Sequence, residues 1–322
     1  MTIYRDLGEI GPGFGPSAVT IGNFDGVHAG HRRILRRVVA LARERGWRPS
    51  VLTFDPHPAV VVAPERAPLL LTTPEERAAR MRAEGIEQVL ILPFTHALSL
   101  VSPEAFVRDI LAERLNARAV LVGDNFRFGH EHAGDIHTLE RLGRKYGFIV
   151  EVIAAIRVRG RVVSSSEVRR LIREGDVALA GRLLERCYTL SGPVVPGHGV
   201  GSKQTVPTLN LASGSALLPA DGVYITRTAD AGVGRLCPSV TNIGRRPTFG
   251  GGALTIETFL LAPLEGGSPA RIRIEFLKRL REERKFESSE ALKAQIFRDV
   301  ARAQAYFRRL SFTAETRREP QQ

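Results

Sequence analysis

Apolar residues recur along the first half of this chain in two alternating rhythms. Short runs read as strands: SAVTIG (17–22), PSVLTFD (49–55), QVLILPF (88–94), AVLVGDNF (119–126) and FIVEVI (148–153). Between them lie segments with helical spacing. Residues 30–45 put Ile34, Leu35, Val38, Val39 and Ala42 on one side. TTPEERAARMRAEG (72–85) opens with a Thr cap, an early Pro and first-turn acids. SPEAFVRDILAERL (102–115) is capped too, GDIHTLERLGRKYG (134–147) is a further helix, and 164–184 reads as a helix broken near Gly175. Such alternation predicts an α/β domain with a parallel sheet covered on both faces. Ligands then bind at the carboxyl ends of the strands.

The rhythm changes near residue 186. YTLSGPVV, GVYIT, SVTNIG, TIETFLL and ARIRIEFL are short strands separated by Gly, Pro and Ser, which predicts a small antiparallel barrel or sandwich. A closing helix spans about 288–310, with Leu292, Ile296, Val300 and Ala303 on one face. The expected domains are 1–185 and 186–312, and residues 313–322 read as a disordered tail.

Composition narrows the function classes. The 322 residues suffice for two cores; 43% are hydrophobic and 25% charged, as in a soluble globular protein. No apolar run approaches a membrane span, and MTIYRDLGEI lacks a signal-peptide pattern. Cys187 and Cys237 are the only cysteines, which argues against a disulfide framework and for a cytoplasmic, thiol-tolerant setting. The net charge of +12 is spread over helix faces such as RRILRRVVALARER, without a basic block interleaved with aromatics. No nucleic-acid or membrane partner is expected, and the oligomeric state is left open.

TIGNFDGVHAGHRRIL (20–35) concentrates unusual chemistry. A strand, a tight turn and a helix start leave backbone N–H groups pointing outward, a setting that attracts phosphate. His28 and His31, at i, i+3 spacing, can face one ligand, and Asn23 adds a neutral donor. Asp25 can hold the turn or orient a cation, and Gly22, Gly26 and Gly30 allow close backbone approach. The zincin motif needs i, i+4 histidines and a Glu between them, which is not the pattern here. GPGFGP (11–16) lacks dinucleotide-loop spacing and reads as a plain loop. His130, Glu131, His132 and His137 read as exposed loop rather than a metal cluster.

The second concentration is GHGVGSKQTVPTLNL (197–211). It is not a P-loop, yet Gly197, Gly199 and Gly201 can fold over phosphates. Thr208 and Asn210 point to one side of an extended chain and offer hard oxygen ligands suited to Mg²⁺. Glu257 falls on one face of TIETFLL with Phe259 and Leu261. It is either a salt-bridged barrel residue or a functional carboxylate.

The string G-N-F-D-G-V-H-x-G-H resembles the nucleotidyltransferase signature of prokaryotic bifunctional riboflavin kinase/FAD synthetases. TFDPHP (53–58), VGDNFRFG (122–129) and SSSEVR (164–169) match that family in order, with Asn125 and Ser166 where Asp and Thr are usual. Pro207-Thr208-Leu209-Asn210, NIGRRPTFGG (242–251) and LREERKFESSEALKAQIFRD (280–299) match its kinase half, with Thr205 where a Gly is usual. The resemblance implies a Rossmann-like nucleotidyltransferase domain followed by a riboflavin kinase barrel. It implies that riboflavin is phosphorylated to FMN, and FMN adenylylated to FAD, with ATP and Mg²⁺. The alternative is an adenylyltransferase whose barrel only binds flavin.

For the first site the resemblance implies His28, His31 and Arg169 as catalytic. Gly22, Asn23, Phe24, Asp25, Gly30, Ser164 and Ser165 then hold ATP, and Pro56, Asn125 and Phe126 hold flavin. For the second it implies Glu257 as general base, Thr208 and Asn210 on the metal, and Gly197, Gly199, Gly201 and Lys203 on phosphate. Arg281 lies at the flavin end.

Overall fold

The computed structural model describes residues 1–11, 13–196, 208–212, 214, 216–231, 235–245, 254–262 and 269–316. It divides into two compact units, Met1–Glu167 and Val168–Gln322.

The first unit carries strands β1 (Thr2–Tyr4), β2 (Ser17–Ile21), β3 (Arg48–Asp55), β4 (Gln88–Pro93), β5 (Ala117–Gly123) and β6 (Ile149–Ile153). They form one parallel sheet in the order β1-β4-β3-β2-β5-β6. The order reverses between β2 and β5, so the loops after these two strands open at a topological switch point. Alternate strand residues serve opposite faces. Ala18, Val51, Val89 and Leu121 pack with α1 (Ala29–Arg45), while Val19, Leu52, Leu90 and Val120 pack on the other side.

Short helices α2 (Pro58–Val62), α3 (Pro74–Ala83), α4 (His96–Ser99) and α5 (Pro103–Ala105) follow. Thr73 caps α3 in a capping box with Glu76, as the Thr-then-acid pattern predicts. Ser102 caps α5, which passes into a π-helical segment, Phe106–Arg114, where a regular helix was expected. The wider winding still buries Phe106, Val107, Ile110 and Leu111 in the core shared with α6 (Ile136–Tyr146). The strand expected to reach 126 ends at Gly123, so Asn125 and Phe126 lie in the turn beyond it. A hairpin of β7 (Arg157–Val158) and β8 (Arg161–Val162) escaped the sequence pattern because two-residue strands show no period.

The break near Gly175 is real. α7 (Ser165–Arg173) and α8 (Val177–Leu184) flank it, and Gly175 has φ 80°. A Cβ there would meet the Tyr224 hydroxyl at 2.9 Å. Strands β9 (Tyr188–Val195), β10 (Thr208–Leu211), β11 (Gly222–Asp230), β12 (Cys237–Arg245), β13 (Leu254–Leu260) and β14 (Arg271–Glu282) close an antiparallel barrel in the order β10-β13-β12-β11-β14-β9. Five buried hydroxyls line part of its interior: Thr226, Thr228, Ser239, Thr241 and Thr258 bond one another at 2.7–3.2 Å.

α9 (Ser289–Thr316) runs past residue 310, and its inner face differs from expectation. Of the expected face Ala303 is buried, but Leu292 and Ile296 are each 42% exposed, and Gln295 and Asp299 are buried in their stead. The polar pair tolerates burial because its bonds are made. Arg281 Nε donates to Asp299 at 2.9 Å, Gln295 Nε2 donates to the other Asp299 oxygen, and Arg284 donates to Gln295 Oε1. Ala303 joins Val223, Ile225 and Val240 in the core on the outside of the barrel. Among the described residues no helix is long and apolar enough to cross a membrane.

Candidate functional site

The loop Gly22–His28 joins β2 to α1 at the switch point. His28 is the N-cap of α1: its Nδ1 accepts the His31 amide at 3.3 Å, which leaves Nε2 as the protonated donor in the neutral ring. The two imidazoles stack, with centroids 3.6 Å apart and planes 15° from parallel, and Phe24 lies 5.0 Å from His31. Burial first, and the neighbouring His28 second, push the His31 pKa well below the ordinary imidazole value, so His31 is neutral at pH 7. Its Nδ1 is buried with no hydrogen-bond partner among the described residues. Gly30 is close-packed: a Cβ would come within 3.2 Å of the His28 ring, which would have to give by a few tenths of an ångström.

The loop is strained and firmly held. Phe24 (φ 50°) and Val27 (φ 38°) occupy the left-handed region, at a cost of about 1–3 kcal/mol each. Asp25, 1% exposed, compensates as an anchor. Its carboxylate accepts from the Leu71 and Thr72 amides at 3.0 Å and from the Thr72 hydroxyl at 3.1 Å. The Gly26 amide donates to Thr72 Oγ1, and Ser165 Oγ donates to the Asp25 carbonyl. Of the two roles open to Asp25, the structure displays the holding of the turn. The Asn23 side chain meets His57 Nε2 at 3.1 Å, and His57 caps α2.

The other expected residues fall in several places. Pro56 and Asn125 are exposed, and Phe126 is half-buried and stacked on Phe128 at 5.4 Å. Ser164 Oγ accepts the Glu167 amide at the start of α7, and Arg169 is buried further along that helix. His130, Glu131, His132 and His137 are exposed. Among the described residues no group of three or more His, Cys, Asp or Glu could hold a metal.

On the barrel, Leu209 and Leu211 are buried, so Thr208 and Asn210 turn to the outer face. Glu257 is half-buried on that same face, between the inward-facing Ile256 and Thr258. Register makes Asn210 the direct partner of Glu257 and Glu257 the direct partner of Asn242. The row continues through Val223 to Arg281. Three strand spacings separate Glu257 from Arg281, roughly 14 Å. Arg281 and Arg284 both lie over the Phe286 ring, at 5.6 and 5.0 Å. Gly197, Gly199, Gly201, Lys203 and Thr205 lie outside the described residues.

Sequence reasoning missed Asn242, Thr72, His57 and Arg77. Only Asn242, first residue of the NIG string, and His57, inside TFDPHP, carried a motif signal. Thr72 and Arg77 lie in what reads as an ordinary capped helix.

Comparison with known proteins covers both halves of the chain. Residues 14–167 match the FAD synthetase family and residues 184–307 the riboflavin kinase family. The bifunctional riboflavin kinase/FMN adenylyltransferase of Pseudomonas fluorescens is 38% identical over 95% of this chain and 97% of its own. Its counterpart in Escherichia coli K12 is 34% identical over 90% and 92%. A Streptococcus pneumoniae crystal structure described as a macrolide-efflux protein superposes with a TM-score of 0.81 at 25% identity, covering 92% of this chain and 96% of that one. That likeness concerns architecture, and the efflux activity in its description finds no echo in the two family matches. With both family regions present in order, and with relatives matched over nearly their whole length, this chain belongs to the bifunctional riboflavin kinase/FMN adenylyltransferase family.

Proposed function

We propose that this chain makes FAD from riboflavin in two ATP-dependent steps, the barrel acting as riboflavin kinase and the parallel-sheet unit as FMN adenylyltransferase. The observation that carries the reading is the direct cross-strand pairing of Asn210 with Glu257. It sets a carboxylate directly opposite Asn210, from which sequence separates it widely, with Thr208 two residues along the same strand.

In the first step Glu257 takes the proton of the ribityl 5′-hydroxyl as that oxygen attacks the γ-phosphorus of ATP. The bond from the γ-phosphorus to the ADP oxygen breaks, and ADP leaves. The Thr208 hydroxyl and Asn210 carboxamide form a hard, sparse donor set, which fits Mg²⁺ held largely by substrate phosphates and water. Bound there, the ion would neutralise charge on the polyphosphate. Gly197, Gly199, Gly201 and Lys203 are assigned to the same phosphates by resemblance. Arg281, along the row from Glu257, suits the ring end of riboflavin.

In the second step a phosphate oxygen of FMN attacks the α-phosphorus, the bond to the β-phosphate breaks, and pyrophosphate leaves. The nucleophile is already ionised, so positioning and donors to the developing charge suffice. His28, through Nε2–H, and His31 supply those donors, with the amides at the start of α1. Gly22, Asn23 and Phe24 form the loop that bears them, and Asp25 holds it. Ser164 and Ser165 shape the start of α7, and Arg169 is assigned to the ATP phosphates by resemblance. Pro56, Asn125 and Phe126 suit the flavin. The modules are taken as 1–185 and 186–312, working in the cytoplasm on small molecules alone.

Incubating the purified chain with riboflavin and Mg–ATP, followed by chromatography, tests this. FMN should form first and FAD later. FAD from supplied FMN, with none from riboflavin, would leave only the adenylyltransferase and make the barrel a flavin-binding module.

A further inference from the structure

Arg77, on α3, is 2% exposed. Burying a guanidinium is costly unless a carboxylate pairs with it. Yet every hydrogen bond Arg77 makes among the described residues goes to a neutral oxygen. Nη1 donates to the Asn23 carbonyl at 2.6 Å and to Thr53 Oγ1 at 3.5 Å, and Nη2 donates to the Phe54 carbonyl at 3.4 Å. Its Nε has no partner among those residues. Burial pulls its pKa down, against the opposing charges of Asp25, Asp55 and Glu75, but a guanidinium stays charged in proteins. An apolar side chain would fill the same space as Ala78 and Met81 do beside it on α3, and would avoid that cost.

What Arg77 joins is specific. Asn23 begins the strained loop that sets the direction of α1 and its two histidines, and its carbonyl also accepts from Thr53 Oγ1 at 3.2 Å. Phe54 lies at the end of β3, immediately before Asp55 and Pro56. One planar fork therefore spans the nucleotide-side loop and the strand end leading to the flavin side. A lysine ammonium is a point charge and cannot match that geometry. We propose that Arg77 is a positioning residue for adenylyl transfer. It holds the loop before His28 and His31 in register with the end of β3, and sets a buried positive charge beneath a loop that receives polyphosphate.

This inference rests on the adenylyltransferase reading, and its test separates the two. Arg77→Met and Arg77→Lys are assayed for FMN to FAD and, in the same preparations, for riboflavin to FMN. Arg77→Met should lower kcat for FAD formation about 100-fold, with a much smaller change in KM for ATP, because small misplacements of reacting groups act on the rate. Arg77→Lys, which keeps the charge without the fork, should fall about tenfold. Riboflavin phosphorylation should be unchanged in both. Guanidinium at tens of millimolar should restore part of the lost rate in Arg77→Ala.

Wild-type kcat in Arg77→Met, or loss of both activities in parallel in folded protein, would overturn the proposal. If Arg77→Met fails to fold, Arg77→Lys decides by the same criteria, and wild-type adenylylation in it refutes the bridging role. A wild-type chain that leaves FMN unconverted sinks the adenylyltransferase reading and this inference with it.

Discussion

The two candidate sites, both proposed to receive ATP, are built in opposite ways. In the parallel-sheet unit, one contiguous stretch supplies the chemistry. A loop and the first turn of α1 carry His28 and His31, and the loop is strained at Phe24 and Val27. On the barrel the chemistry is spread over strands. Asn210, Glu257 and Asn242 come from β10, β13 and β12 and meet only through register. A site of the first kind depends on anchors that hold one loop, here Asp25, Thr72 and Ser165. A site of the second kind depends on the ladder itself, since a one-residue slip of β13 would turn Glu257 to the barrel interior.

If the sites are chemically separate, single substitutions should separate them. The largest effect is expected from Glu257→Gln, which removes the base: riboflavin phosphorylation should fall about 1,000-fold while supplied FMN still becomes FAD. Parallel loss of both activities would erase the distinction. Next comes His31→Ala, which should lower FAD formation by about several hundred-fold and leave FMN accumulating in product analysis.

Smaller effects sharpen the contrast. Asn210→Ala should raise the Mg²⁺ concentration giving half-maximal kinase rate by about tenfold, because one of few hard ligands is lost. The adenylylation titration should stay in place. Asp25→Asn keeps the shape but weakens the charge-assisted bonds from Leu71 and Thr72. It should cost about 2 kcal/mol, read as a lower melting temperature, with adenylylation affected before kinase activity.

The smallest effect concerns pH. The folded-state pKa of His31 is depressed, so the unfolded chain binds this proton more readily. The stability tied to His31 is fully present above its unfolded value near 6.5 and is lost as pH falls toward and through the lowered folded value. Between pH 7.5 and 5.5 the melting temperature of His31→Gln should therefore fall less steeply than that of wild type. Equal slopes would mean that burial of this ring has no proton linkage.

Legibility in sequence follows the same division. The parallel unit could be read strand by strand because apolar runs alternate with capped helices, and Thr73 and Ser102 cap as their patterns suggest. β1 went unread because three residues at the edge of the sheet carry no period. On α9 expectation and structure agree at Ala303 and part at Leu292 and Ile296, which obey helical spacing yet are exposed; Gln295 and Asp299 are buried because Arg281 and Arg284 supply their partners. Arg77 was invisible, since nothing local distinguishes a buried guanidinium from a solvated one on a helix rich in arginine.

What this chain's sequence determined alone is what short-range physics controls: the rhythm of strands and helices, the helix caps, the break at Gly175, and the pairing of His28 with His31 across one helical turn. Tertiary structure decided what depends on partners far along the chain. It brought Asn210 beside Glu257, tied Asp25 to Thr72, and buried Arg77 against Asn23 and Phe54. The reason is that periodicity and capping are settled within a few residues, whereas register and burial are settled only when distant segments meet.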